Sequence, residues 1–275
     1  MTATYYVAIS LADSTHRSPT NPHGWVPGFN TDPANWLQAN AQPFADAGIP
    51  ILFHNAFGRG GTGLSFSKRF DGKNTVPTQA EWMWMWDYGN QFHALSNFVT
   101  SPGIGGTIFY VGVPSIGRVS TLGHAAGQLN IFTHYFPNVS IIYDNVGDAK
   151  TDEHTPASAM FAAHDAMDRQ PFNSPVQWGI EPNPARKNWN LPAKYYTSIC
   201  YTYGTPRTWS AVERYSIEHV ANSEQIPIVA IRGDEFLTAE ERIAAAKHWG
   251  PRVAPYNGIV VVHGVSVQQT MEIGK

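Results

Sequence analysis

Gly258-Ile259-Val260-Val261-Val262-His263-Gly264 decides how this chain folds. Four β-branched residues in succession, bounded by glycines, suit a strand and not a helix. Apolar and polar positions do not alternate, so neither side of this strand faces water. Strands of that kind belong to parallel sheets whose faces are both covered.

The same pattern recurs outward from this stretch. Residues 5–10, 50–54, 107–113, 140–144, 176–181 and 227–231 are also short, mostly apolar runs. Helix signals stand between them. Asp32-Pro33 reads as an N-cap followed by proline at the first helical position, and Gly48 stands where a helix would end. Pro43 interrupts that helix. Thr78 with Glu81, Ser210 with Glu213 and Thr238 with Glu241 each fit a capping box. Trp249-Gly250-Pro251 reads as the close of the helix that begins at Thr238. Leu122, Ala125, Ala126, Leu129, Phe132, Thr133 and Phe136 share one helical face, and Thr155-Pro156 opens a further helix to about residue 170. The run Trp82-Met83-Trp84-Met85-Trp86 follows a capping box, so it reads as helix despite its alternation.

Seven strands with helices between them call for an eighth. Residues 195–203, rich in Tyr and Thr around Ile199, supply it as the sixth in order. The expected fold is α/β: a (β/α)8 TIM-type barrel, irregular around strands five and six, formed by a single domain over residues 1–275. A doubly wound open sheet is the competing architecture, but no GxGxxG follows the first strand. The loops are asymmetric. Residues 11–31 and 55–77 form long strand-to-helix connections, whereas the helix-to-strand connections at 48–49 and 137–138 are short. In barrels the long loops at the carboxyl ends of the strands carry the active site.

Composition narrows the function classes. The 275 residues are 43% hydrophobic, 13% aromatic and only 14% charged, with a formal net charge of −3. No Lys/Arg run is present, which argues against a nucleic-acid partner. Cys200 is the single cysteine, so an intrachain disulfide and a CxxC zinc site are both excluded. Residues 1–10 lack a basic leader segment and run into polar Asp13-Ser14-Thr15, which does not read as a signal peptide. No apolar stretch is long enough for a membrane span. Neither feature assigns a compartment.

Chemistry-bearing residues gather at the strand ends. Strand two ends in His54-Asn55, strand four in Tyr143-Asp144-Asn145 and strand five in Glu181-Pro182-Asn183. Strand seven runs into Arg232-Gly233-Asp234-Glu235, and strand eight ends in His263-Gly264. A carboxylate at the end of a buried strand is costly unless it is hydrogen-bonded or used. Two carboxyl groups on adjacent strands suit glycoside hydrolysis, in which one protonates the leaving oxygen and the other attacks the sugar or activates water. Asp144 and Glu181 are that pair, and Asp234 or Glu235 is a third carboxylate for sugar hydroxyls or the transition state. His54, Asn55, Tyr143, Glu235 and His263 are expected to line the substrate site. Arg59, in the glycine-rich stretch 58–63, is placed there as well. Sugar faces stack on aromatic rings, and Trp25, Trp189 and Trp209 lie in loops or near element ends. Trp25 and Trp189 are taken as substrate platforms. No HxH or HExxH spacing occurs, so neither a metal nor another cofactor is expected.

Asp on strand four, Glu on strand five and Asp after strand seven resemble the layout of (β/α)8 glycoside hydrolases, especially the α-amylase-like group. The resemblance implies Asp144 as nucleophile, Glu181 as general acid/base and Asp234 as transition-state stabiliser. It is a likeness of position: Ile142 and Gly233 stand where that group has Arg and His. Two other readings compete with it. One is a non-catalytic barrel, a carbohydrate-binding or structural module of a larger assembly such as a virion or cell surface. The other is a metal-dependent hydrolase built on His54, Asp144, Glu181 and His263.

Overall fold

The computed structural model describes residues 3–12, 16, 18, 20–21, 24–55, 89–104, 108–112, 136, 139–145, 176–180, 199–202, 227–231 and 237–274. Eight strands are found among these residues: β1 (Thr4–Ala12), β2 (Ile51–Asn55), β3 (Ile108–Gly112), β4 (Ser140–Asn145), β5 (Val176–Ile180), β6 (Ile199–Thr202), β7 (Ile228–Ile231) and β8 (Ile259–His263). They make one sheet in the order β5-β4-β3-β2-β1-β8-β7-β6, and every pairing is parallel. Apart from β5 and β6, which stand at its two ends, strands consecutive in sequence are neighbours along this order, and β8 lies beside β1. β6 falls inside the stretch 195–203 expected to hold it.

The described helices are α1 (Pro27–Thr31), α2 (Pro33–Asn40), α3 (Gln42–Asp46), α4 (Gly89–Val99), α5 (Ala239–Val253) and α6 (Val267–Ile273). Asp32 caps α2 by accepting a hydrogen bond from the Asn35 N–H at 3.2 Å. The break at Ala41 separates α2 from α3, whose second residue is Pro43. Gly48 takes φ +70° where the chain leaves α3, a conformation that glycine adopts without a Cβ penalty. Thr238 and Glu241 form the expected capping box of α5. The helical face around residue 125, the helix from 155 and the tryptophan-rich run 82–86 lie outside the described residues.

Strand alternation explains the apolar runs. Val7 and Ile9, Ile51 and Phe53, Val229 and Ile231, and Val260 and Val262 join a core with Phe29, Leu37, Phe92, Leu95, Ala245, Ala246, Trp249 and Val253 from the helices. The intervening positions, Tyr6, Ala8, Leu52, Ile228, Ala230, Ile259 and Val261, form a second buried cluster. Among the described residues, every member of that second cluster comes from a strand. Both sides of the sheet are therefore dry along β1, β2, β7 and β8, and each fully buried Val, Ile or Leu contributes about 1.5–3 kcal/mol.

The helices differ from expectation in three places. α5 does not close at Trp249-Gly250-Pro251; it continues through Pro251 to Val253. Proline disfavours a helical residue before it through clashes with that residue's N–H and Cβ, and Gly250 removes the second of these. The Ala254 N–H then bonds the Gly250 carbonyl, carrying the helix past the proline. The expected long loop 11–31 contains the single turn α1, and α6 follows β8 with a Ser266/Gln269 capping box.

Candidate functional site

The carboxyl ends of the strands are built from the pairing register. Ser10, His54, Tyr110, Ile142 and Gln177 stand side by side across β1 to β5. On β2, His54 is two residues beyond Leu52, so it belongs to the same alternation set as the strand-only cluster. Asp144 is two residues beyond Ile142 and belongs to that set as well. Its register neighbours are Gly112 on β3 and Gly179 on β5. A carboxylate residue thus stands at the sheet's carboxyl edge between two residues that carry no side chain. Glycine inside a strand often marks a place where a ligand or another backbone approaches closely.

The register also separates residues that adjoin in sequence. Asn55 pairs with Ala12 and Val111, and Val111 with Tyr143, which pairs with Trp178. This row belongs to the opposite alternation set, the one that joins the helix-covered core through Phe53. His54 and Asp144 are placed in one set, and Asn55 and Tyr143 in the other. His263 closes β8 beside Ala8 of β1, in the set of Ile259 and Val261, and is half-buried.

The exit from β1 is tightly organised. The register slips between Ser10 and Ala12, the signature of a β-bulge, and Leu11 and Ala12 both enter the helix-side core. Ala12 bridges Trp25 in antiparallel fashion, and the Val26 N–H donates to the Leu11 carbonyl at 2.9 Å. Asn21 ties the loop together. Its amide donates to the Trp25 carbonyl at 2.7 Å and the His16 carbonyl at 3.0 Å, and its Oδ1 accepts from the Trp25 N–H at 3.0 Å. Trp25 itself corrects an expectation. It is only 3% exposed and packs edge-on to Phe29 and Phe92 with ring centroids 5.3 and 6.1 Å apart. An interior ring of this kind has little surface to offer a sugar.

At the opposite side of β1, Arg242 of α5 reaches two backbone carbonyls. One guanidinium nitrogen donates to Leu237 at 2.6 Å, and the other to Gly264 at 2.7 Å. Sequence reasoning named neither Asn21 nor Arg242. Both work through bonds to main-chain carbonyls, which leave no motif.

Glu181, Asp234, Glu235, Arg59 and Trp189 lie outside the described residues. Among the described residues, no three His, Cys, Asp or Glu side chains gather as metal ligands, and no helix is long and apolar enough to cross a membrane. No protein-family model, curated protein or solved structure matches this chain.

Proposed function

We propose that the sheet closes on itself as a (β/α)8-type barrel and that its carboxyl edge carries a glycoside-cleaving site, with Asp144 as nucleophile or general base and Glu181 as proton donor. The observation that carries this reading is the row Gly112–Asp144–Gly179, a strand-end carboxylate residue with a glycine on each side. The cyclic neighbour order of the strands and the strand-only buried cluster support the barrel. In this reading His54 and His263 serve substrate hydroxyls, and Asp234 or Glu235 supplies the third carboxylate. The chemistry needs only protein groups, because a carboxylic acid and a carboxylate suffice for glycosidic cleavage.

The test is hydrolysis of a panel of nitrophenyl glycosides and soluble polysaccharides by the wild type, Asp144→Asn and Glu181→Gln. Asp144→Asn on every substrate, and Glu181→Gln on the polysaccharides, should lower kcat by on the order of 100- to 10,000-fold at unchanged melting temperature. Glu181→Gln should spare nitrophenyl substrates, whose leaving groups need little protonation. Equal turnover in all three proteins removes the assignment. Glycan binding by the wild type without cleavage, undiminished in both variants, moves the protein to the binding-module reading.

A further inference from the structure

We infer that Arg242 is a positioning residue: it clasps the chain entering α5 to the turn leaving β8, and thereby sets the place of His263. Three observations converge on it. The guanidinium spans two carbonyls from different connections, Leu237 before α5 and Gly264 after β8, at 2.6 and 2.7 Å. Its Nε is buried with no hydrogen-bond partner among the described residues, so the two terminal nitrogens make the directed bonds. Gly264 adopts φ +59°, and a Cβ built there would stand 3.2 Å from the guanidinium. The turn is therefore shaped for this side chain to lie against it.

The geometry suits arginine specifically. A planar fork holds two acceptors at once in a fixed relation, whereas a lysine ammonium is a single point on a flexible stem. Gly264 directly follows His263, so the carbonyl that Arg242 holds lies one peptide beyond the histidine's own exit from the strand. Leu237 closely follows Asp234 and Glu235 in sequence. One side chain thus links two of the connections on which candidate site residues stand. The catalytic weight of this clasp rests on the glycoside reading; the clasp itself does not.

The experiment uses the full chain with isotope-labelled histidine, the His263 imidazole signal being assigned by His263→Gln. Arg242→Ala and Gly264→Ala should each shift and broaden that signal. Arg242→Lys, which keeps the charge and loses the fork, should shift it too. Where the wild type turns over a glycoside, Arg242→Lys should lower kcat on the order of 10- to 100-fold with little change in KM. A His263 signal at its wild-type position in folded Arg242→Lys and Gly264→Ala overturns the proposal. So does full retention in Arg242→Lys alone, since charge and not the fork would then be responsible. Should Arg242→Ala fail to fold, the other two variants carry the test. Absence of glycan cleavage and binding in the wild type defeats the functional reading alone, because the histidine signal does not depend on it.

Discussion

The two sides of the sheet are filled by different means. On one side, helices bring large side chains: Trp249 of α5 and Phe29 of α1 are among the largest fully buried groups, and Phe53 of β2 joins the same core. On the other side, the described cluster is made by strands alone, and alanines stand among larger residues. Tyr201, Ala230, Val261 and Tyr6 lie in one register row across β6, β7, β8 and β1. Burial raises the Tyr6 hydroxyl above its ordinary pKa, since its ionised form would be poorly solvated. A helix can shift to accommodate a side chain, but strands tied by hydrogen bonds cannot, so volumes in such a row must compensate each other. The contrast teaches that the two sides should answer differently to mutation: one loses most when volume is removed, the other when it is added.

The largest effect is expected on the helical side. Trp249 is fully buried in α5, and Trp249→Ala should cost about 3–5 kcal/mol, lowering Tm by roughly 6–20 °C. Its indole N–H has no hydrogen-bond partner among the described residues, so Trp249→Phe should recover most of that loss. Thermal unfolding followed by circular dichroism gives both values. A Trp249→Ala protein as stable as the wild type would break the view that helices provide the main packing of this side.

A smaller effect is expected from adding volume on the strand side. Ala230 is 2% exposed, and Ala230→Leu should cost about 1–3 kcal/mol through overpacking. A paired substitution, Ala230→Leu with Val261→Ala, should recover part of this, because the two residues are register partners. Additive losses in the double variant would show that the row has no shared volume and would weaken the case for a sheet closed on itself.

The sequence displayed the eight strands well and the site only in part. The strands were legible because burial on both sides leaves continuous apolar runs, as in Ile259-Val260-Val261-Val262. Caps were legible at Asp32 and Thr238 because a side chain must satisfy a free N–H there. α1 was not, because its first turn starts at Val26-Pro27 without a side-chain cap. α6 did display its Ser266/Gln269 box, but over too short an apolar stripe to stand out. Pro251 read as a stop because the Tyr5 hydroxyl, which needs a residue without Cβ at 250, comes from the far end of the chain. Trp25 looked like a loop residue and is core, because a bulge and Asn21 fold its loop back onto α1 and α4. At the site, Asp144 was legible as a strand-end carboxylate. Its glycine neighbours were not, since only the pairing register brings Gly112 and Gly179 beside it.

The smallest effect lies at the rim of the helical side and should leave the strand side untouched. Thr238 caps α5 by accepting from the Glu241 N–H at 3.2 Å. Loss of the cap in Thr238→Ala should cost about 1 kcal/mol. The neighbouring Glu240 carboxyl is held below its ordinary value, first by its own backbone N–H, then by the Thr238 hydroxyl, with Arg242 adding a further pull. A carboxylate whose folded pKa is depressed stabilises the fold above its unfolded pKa, here about 4.5, and that support fades as pH falls through the lower folded value. Thr238→Ala should therefore move the Glu240 titration upward toward 4.5 and narrow the difference in stability between variant and wild type in acid. Carbon-detected titration of Glu240 in the two proteins measures the shift. A Glu240 curve identical in both would mean that the threonine hydroxyl contributes nothing to the carboxylate, and that the cap acts on the helix backbone alone.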